Sequence, residues 1–179
     1  PGPMAKLSAS PLAVESPPPT IGAHTEDVLA DLSRRPQVPD GGDPERTGPA
    51  LEGVKILDFM WVMAGPASTR VLADQGATVV RVESSTRIET ARTIGPFLND
   101  EGGAENSGLY NNMNAGKMGI TLDVNNPASR RVIEDLVRWA DVVTESFSPK
   151  AMKGWGLTYD DLKAIKPDII QCSVTGFGA

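Results

Sequence analysis

The spacing of hydrophobic residues changes at Leu51. Beyond it, short apolar runs rich in β-branched residues are typical of buried strands: VKILDF, TVVRVE, GITLDV and DVVTES, with DIIQCSVTG as a last strand. Between the first two runs, Pro66 suits the first turn of a helix over residues 67–75, and Gly76 suits its C′ position. A strand, a helix and a strand within about thirty residues form a right-handed crossover between parallel strands. The pattern therefore predicts an α/β fold: an open, mostly parallel, Rossmann-like sheet with helices on both faces.

Three further helical segments follow the second strand. Asn126 and Pro127 mark the start of a helix that runs to about residue 140. A helical turn is predicted over residues 149–153, and Thr158 caps the short helix TYDDLKAI. Residues 84–116 are polar and rich in Gly and Asn, which predicts a long excursion that is functional or mobile. The apolar stripe of the first of these helices is predicted at Val132, Leu136 and Trp139.

The first fifty residues have a different composition. Most of the 15 prolines lie there, so this arm has too little apolar surface to offset its ordering entropy, and we expect it to be largely extended or disordered. Residues 24–32, HTEDVLADL, are the exception: Thr25 can cap a short helix with an apolar edge. Such a short helix requires a packing partner.

Composition excludes several classes of protein. The chain has 179 residues and a net charge of −6, which argues against a general nucleic-acid binder. Cys172 is the single cysteine, so an internal disulfide is excluded, and its place in an apolar strand predicts a buried, inert thiol in a reducing compartment. Without a run of about 18 apolar residues or a signal-peptide pattern at PGPMAKLSAS, no membrane span is predicted and a cytoplasmic location is expected.

Ligands of open α/β sheets bind beyond the carboxyl ends of the strands. Four loops lie there: residues 60–65, 83–87, 124–126 and 146–149. Small side chains in the first loop allow close approach of a ligand to the backbone, although a tight strand-to-helix connection accounts for them equally well. The pattern G-x-G-x-x-G is absent, which disfavours a dinucleotide; Glu83 is either a mimic of the ribose-binding acid or a solvated strand end. His24, the only histidine, lies in the arm, which argues against a Ser-His-Asp triad or a histidine-based zinc site.

Basic and aromatic side chains flank the same loops. These side chains suit the binding of a ligand that has a flat ring and an anionic tail. Alternatively, the basic residues are surface charges and the aromatic rings cover the sheet edge. The basic residues are Arg81, Arg87, Lys117, Lys150 and Lys153, and the aromatic ones are Trp61, Tyr110, Phe147 and Trp155.

Four phrases in order resemble the N-terminal half of the family III CoA-transferases: LEGVKILDF, AGPASTRVLADQGATVVRVE, NNMNAGKMGITLDV and ADVVTESFSPKAMKGWGLTYDDLKAIKPDIIQCSVTGFG. This CaiB/BaiF-like group includes formyl-CoA transferase, carnitine CoA-transferase and 2-methylacyl-CoA racemase. The phrase PPPTIGAHTEDVLADL resembles the C-terminal end of the same family, or matches it by chance. The resemblance implies an arm over residues 1–32, a linker over 33–50 and an incomplete CoA-transferase domain over 51–179. We expect a fragment of a tandem, fused protein.

The resemblance also implies an activity. Family members move CoA from an acyl-CoA to a carboxylic acid through an aspartyl anhydride, with CoA as substrate and not as a prosthetic group. The nucleophilic aspartate is expected downstream of the GFG phrase, outside this chain. An interlocked homodimer or an intramolecular pseudo-dimer is implied, so we expect an exposed apolar sheet face or edge. The alternatives are an acyl-CoA racemase or isomerase, a degenerate non-catalytic half and, with less support, an NAD(P)-binding domain.

The CoA-binding positions carried over from the family lie in the four loops and just after the helical turn predicted over residues 149–153. Ser84, Asn125 and Gly154 stand where relatives commonly carry basic residues, and KMG replaces K-R-S. Contacts to CoA phosphates are therefore expected to be lost, or relocated to Arg81, Arg87, Lys117 or Lys153. The implied CoA-binding set is Met63, Ala64, Ser84, Leu122, Asp123, Val124, Asn125, Ser146 (which replaces an asparagine), Phe147, Ser148 and Gly154.

Overall fold

A computed structural model describes residues 20, 23, 26, 29, 30 and 48–176. The chain divides into two compact units, Pro1–Thr47 and Gly48–Ala179. In the first unit Glu26, Leu29 and Ala30 are helical, within the segment for which a short helix is predicted. The predicted cap Thr25, His24 and the expected extended course of the proline-rich arm lie outside the described residues. The division into arm, linker and incomplete domain stays a prediction.

Within residues 48–176 the strands form one sheet. Its order is β3-β2-β1-β4-β5, and every neighbouring pair is parallel. This confirms the predicted open α/β sheet. Because the chain winds away from β1 in both directions, the strand order reverses between β1 and β4, where a crevice is expected. The strands are β1 (Lys55–Phe59), β2 (Thr78–Glu83), β3 (Met118–Thr121), β4 (Val142–Glu145) and β5 (Ile170–Ser173).

The helices join these strands on both sides of the sheet. The first begins at Ala64, earlier than predicted, so Pro66 still lies in its first turn. Gly76 follows the C-cap with φ +100°, as expected of a C′ glycine. The helices are α1 (Ala64–Asp74), α2 (Gly108–Asn114), α3 (Arg130–Trp139), α4 (Pro149–Trp155) and α5 (Tyr159–Ile165), with 3₁₀ turns at Thr90–Thr93, Leu98–Asp100 and Pro127–Ser129.

Alternate side chains of β1 face two apolar clusters. Leu57 and Phe59 lie in the larger cluster with α3, α4 and α5, whereas Ile56 lies in the smaller one against α1. The predicted stripe of α3 was wrong for Val132, and its centre is displaced towards Ile133 and Val137. Ile133 and Val137 are its buried residues, while Val132 is 40% exposed, because the helix is rotated by one residue, about 100°, from the predicted orientation. Leu136 and Trp139 pack at the margin of the larger cluster.

The third strand is shorter than the predicted run GITLDV. The backbone N–H of Leu122 still donates to the carbonyl of Glu83 at 2.9 Å, after which the chain leaves the ladder. Asp123 Oδ1 then accepts from the backbone N–H of Asn125 at 2.9 Å, which forms an Asx turn. Residues 122–125 are thus a loop at the carboxyl edge of the sheet. The preceding segment, residues 84–116, contains regular structure. Its helix α2 is capped by Ser107, whose hydroxyl accepts from the N–H of Tyr110.

The sheet ends in two edge strands that leave apolar side chains in solvent. Met118 on β3 is 61% exposed and Ile170 on β5 is 60% exposed. Cys172 is also exposed, so the predicted buried thiol was wrong. The reason is topological: β5 is an edge strand, and in the described part of the chain the face that carries Cys172 has no helix packed over it. Among the helices of the described residues, none is both long and apolar enough to cross a bilayer.

The predicted cap of α5 is a complete capping box, and it gives a stability prediction with a defined pH dependence. Thr158 accepts from the N–H of Asp161, and Asp161 accepts from the N–H of Thr158 at 3.0 Å. We expect Thr158→Ala to lower the free energy of unfolding by about 1 kcal/mol, measured by urea denaturation. The hydrogen bond from Thr158 holds the pKa of Asp161 below its ordinary value of 3.8, so this contribution is present above that pH and is lost as the pH falls through the folded pKa. In Thr158→Ala the same acid range should show a smaller loss; an unchanged acid profile would contradict this role.

Candidate functional site

The carboxyl ends of β1, β2, β3 and β4 open onto one groove. It lies on the side of the sheet covered by α3 and α4, where Phe59 and Val82 form its floor. This is the position at which open α/β sheets bind ligands. The groove is lined by Phe59, Trp61, Val82, Glu83, Ser84, Thr86, Arg87, Leu122, Asp123, Val124, Asn125, Phe147 and Trp155.

Three aromatic rings form one wall of the groove. Phe147 lies between Trp61 and Trp155 in edge-to-face contacts, with ring centroids 5.4 Å and 4.9 Å away. The Arg87 guanidinium lies over the Trp61 ring at 5.4 Å, and the indole N–H of Trp155 donates to Asn125 Oδ1 at 2.9 Å. The wall is therefore apolar, with one exposed cation at its rim.

A second opening lies beside the groove, at the point where the strand order reverses. The loop after β1 and the loop after β4 form its sides, and the hydroxyl of Ser146 accepts from the backbone N–H of Trp61 at 2.9 Å. Gly65 at its base is required, because an added Cβ would lie 2.6 Å from Met60 Sδ and 2.8 Å from Met60 Cβ. Trp61 and Phe147 line both openings and so separate them.

The structure brings together most of the residues carried over from the family. The groove contains Ser84, Leu122, Asp123, Val124, Asn125 and Phe147, and the second opening contains Met63, Ala64, Ser146 and Phe147. Ser148 and Gly154 line neither opening. Ser148 caps α4 by accepting from the N–H of Ala151, and a Cβ added at Gly154 would meet nothing within 4 Å.

Two of the four cations considered as replacement phosphate contacts are buried in ion pairs. The side chains of Arg81 and Lys117 are each 2% exposed; Arg81 pairs with Glu89 at 2.5 Å and Lys117 with Asp58 at 3.0 Å. Neither side chain lines the groove, so the structure does not support either of them as a replacement phosphate contact there. Arg87 lines the groove, and Lys153 is exposed on α4 but lines neither opening.

A buried polar network lies between the sheet and α1, and sequence reasoning missed it. Asp58 has no exposed surface and accepts four hydrogen bonds, from the N–H of Met60, the hydroxyls of Thr69 and Thr144, and the ammonium of Lys117. Burial lowers the pKa of Lys117, and the neighbouring Asp58 carboxylate opposes that shift. A signal was present: Asp58 alternates in phase with the inward-facing Ile56 in KILDF. The network fixes the carboxyl end of β1, from which the loop of residues 60–63 starts.

The charges at the groove suit binding and offer no obvious nucleophile. Glu83 is engaged by Arg92, whose Nε donates to Glu83 Oε1 at 2.6 Å, so a free ribose-binding acid is not supported. Ser84 is within hydrogen-bonding distance of Thr86, with the oxygens 2.7 Å apart. Among the described residues no group of three or more His, Cys, Asp and Glu side chains forms a metal site. An apolar aromatic wall with Arg87 at its rim can hold a ring and an anionic group side by side.

Comparison with known proteins shows the family of the chain. The model of the CoA-transferase family III matches residues 51–179. The chain belongs to this family. It is 40% identical over 129 residues to human succinyl-CoA:glutarate CoA-transferase. The aligned residues cover 72% of the chain and 28% of that protein. It is 36% identical over 132 residues to succinate–glutarate CoA-transferase of Agrobacterium fabrum, covering 73% of the chain and 33% of the relative.

A solved structure agrees with the fold. A CaiB/BaiF family protein from Brucella suis superposes with a TM-score of 0.65 at 36% identity, over 73% of this chain and 34% of that one. The chain thus spans about a third of the length of the relatives it matches.

Proposed function

We propose that residues 48–176 form the CoA-binding part of a CoA-transferase, which moves CoA between an acyl-CoA and a carboxylic acid. The observation that carries the proposal is the groove at the carboxyl ends of β1–β4. It gathers Ser84, Phe147 and the loop of residues 122–125, which the family resemblance assigns to CoA. CoA is here a substrate, and the groove contributes its binding.

The chemical step proposed for the whole enzyme uses an aspartate that the family resemblance places downstream of the GFG phrase. Its carboxylate attacks the thioester carbonyl, the C–S bond breaks, and CoA leaves as a thiolate. The thiolate then attacks the aspartyl carbonyl of the mixed anhydride, which releases the donor acid and leaves CoA on the aspartate. The acceptor carboxylate then attacks the carbonyl of the aspartyl-CoA thioester and expels CoA thiolate. The thiolate attacks the acceptor carbonyl of the new mixed anhydride, which releases the free aspartate and the new acyl-CoA. Neither Asp58 nor Asp123 is assigned this role, since Asp58 is buried and fully hydrogen-bonded and Asp123 closes an Asx turn.

The two openings fit different parts of CoA. The aromatic wall of Trp61, Phe147 and Trp155 suits the adenine ring or the pantetheine chain, and Arg87 at the rim suits a phosphate. At the second opening α1 begins at Ala64 without a side-chain cap, and since Pro66 has no N–H, the N–H groups of Ala64 and Gly65 are the ones that its first turn offers to an anionic group. A nucleotide with a long arm would thus cross the boundary formed by Trp61 and Phe147.

Calorimetric titration of the 179-residue chain with CoA and with NAD tests the proposal. We expect saturable binding of CoA and no binding of NAD. Binding of NAD alone would support a dinucleotide-binding domain. Absence of CoA binding by the intact protein would support a degenerate, non-catalytic half.

Removal of the cation at the rim should weaken CoA binding. A charge-assisted hydrogen bond at an exposed site is worth about 1.4 kcal/mol, so Arg87→Ala is expected to raise the Kd for CoA about tenfold, with the effect shrinking at high salt. The matched control is Arg131→Ala, which removes an exposed cation from α3, away from the groove. Equal affinities of the two variants would contradict a phosphate contact at Arg87.

A further inference from the structure

The loop after β1 has a conformation that its sequence does not favour. Val62 adopts φ +72°, in the left-handed region that β-branched residues rarely occupy. Its side chain is 37% exposed, so burial in the core does not compensate for the backbone conformation. Interactions elsewhere must hold residues 60–63 in this shape.

A buried ion pair contacts the loop on both sides of Trp61. Arg81 Nη1 donates to the carbonyl of Met60 at 2.7 Å, and Glu89 Oε1 accepts from the N–H of Val62 at 2.8 Å. Arg81 Nη2 and Glu89 Oε2 are 2.5 Å apart, and Glu89 has no exposed surface. Glu89 also accepts from the N–H of Ala91 at 3.1 Å, which fixes it in its own turn. Met60, Arg81, Glu89 and Val62 thus form a continuous chain of hydrogen bonds.

We propose that the Arg81–Glu89 pair is a positioning device that sets the shape of residues 60–63 for CoA; this inference rests on the proposed function. The two contacts turn the peptide so that the Trp61 ring lines the groove while Val62 and Met63 line the second opening. Burying two charges is a weak source of stability, because desolvation offsets most of their attraction, but the geometry of such a pair is narrowly defined. The pair therefore contributes loop shape more than overall stability.

Other charged and titratable groups face the pair without replacing it. Glu83 Oε2 lies 3.7 Å from Arg81 Nε, and the Tyr110 ring lies 5.4 Å from the Arg81 guanidinium. Neither of these contacts reaches the loop backbone. Glu89 is the acceptor for Val62, so replacement of Glu89 separates loop positioning from the rest of the cluster.

The first test needs no ligand. In Glu89→Gln, hydrogen exchange at the amides of Trp61 and Val62, which are hydrogen-bonded in the loop, should accelerate at least tenfold more than exchange in β4 and α5. Glu105→Gln is the matched control, because Glu105 is 85% exposed and pairs with Arg92. If Glu89→Gln does not fold, Arg81→Lys takes its place and should show the same acceleration, since a lysine cannot bridge Met60 and Glu89 together. Unchanged exchange in the loop would overturn the inference.

The second test uses CoA. Glu89→Gln should raise the Kd for CoA at least tenfold, and adding Val62→Gly should recover part of the loss, because glycine adopts positive φ without strain. A purely structural role would give no such recovery. If loop exchange accelerates while CoA affinity stays at the wild-type value, the positioning role is wrong and the proposed function stands. If the unmodified chain does not bind CoA, the proposed function fails and the loop-exchange result still decides whether the pair holds the loop.

Discussion

We expect replacement of Asp58 with alanine to lower the free energy of unfolding by about 3–5 kcal/mol. This carboxylate is buried at the carboxyl end of β1 and accepts from Thr69, Thr144 and Lys117. Without it, the Lys117 side chain, only 2% exposed, loses its ionic partner, and two buried hydroxyls lose an acceptor. An uncompensated buried charge is among the largest penalties that a single substitution can impose.

Urea denaturation of four variants, Asp58→Ala, Lys117→Met, their combination and Asp74→Ala, separates this effect from a general loss of negative charge. Asp74→Ala removes an acid whose side chain is 52% exposed and that pairs with Arg70, and should change stability by no more than about 0.5 kcal/mol. Asp58→Ala combined with Lys117→Met should recover part of the loss, because both buried charges are then absent. If the double variant is as unstable as the sum of its two single variants, the ion pair is not the source of the effect.

Phe147→Ala is expected to affect both stability and binding. The ring packs against the larger cluster and contacts Trp61 and Trp155, so its truncation should lower the free energy of unfolding by about 2–4 kcal/mol. Because Phe147 lies on the boundary between the two openings, loss of the ring should also raise the Kd for CoA more than tenfold. Thermal unfolding and CoA titration of the same preparation measure the two effects.

Tyr159→Ala is the control for aromatic truncation. Tyr159 is 42% exposed on α5 and lines neither opening. Its replacement should change stability by less than 1 kcal/mol and leave CoA affinity unchanged. Equal affinity losses in the two variants would show that CoA does not depend on the aromatic wall.

The sheet could be predicted from the sequence because each strand is a short apolar run with a clear boundary. VKILDF and TVVRVE have the β-branched composition of buried parallel strands, and Gly76 separates helix from strand through its positive φ. The side of α3 that faces the core was harder to predict. The α3 sequence carries apolar residues at two adjacent angular positions, and only tertiary packing selects Ile133 over Val132.

The site could be predicted in outline, since parallel strands bring their carboxyl ends to one edge. Which charged residues are buried in ion pairs and which are exposed at the groove could not be predicted. Arg81 and Arg87 are both near the predicted loop, yet Arg81 is buried against Glu89 and Arg87 is exposed over Trp61. Arg81 and Arg87 differ in burial because the 3₁₀ turn at Thr90–Thr93 places Glu89, its N-cap residue, next to the loop of residues 60–63. Periodicity carries no information on such a contact between distant segments.

The most direct measurement of the central claim is an amide and indole NMR titration of the isotope-labelled chain with CoA. Binding in the groove predicts shift changes at Ser84, Arg87 and residues 122–125, and at the indole N–H groups of Trp61 and Trp155, with α5 and β5 unaffected. Saturating CoA with no shift changes in the groove, or with changes confined to α5 and β5, would contradict it.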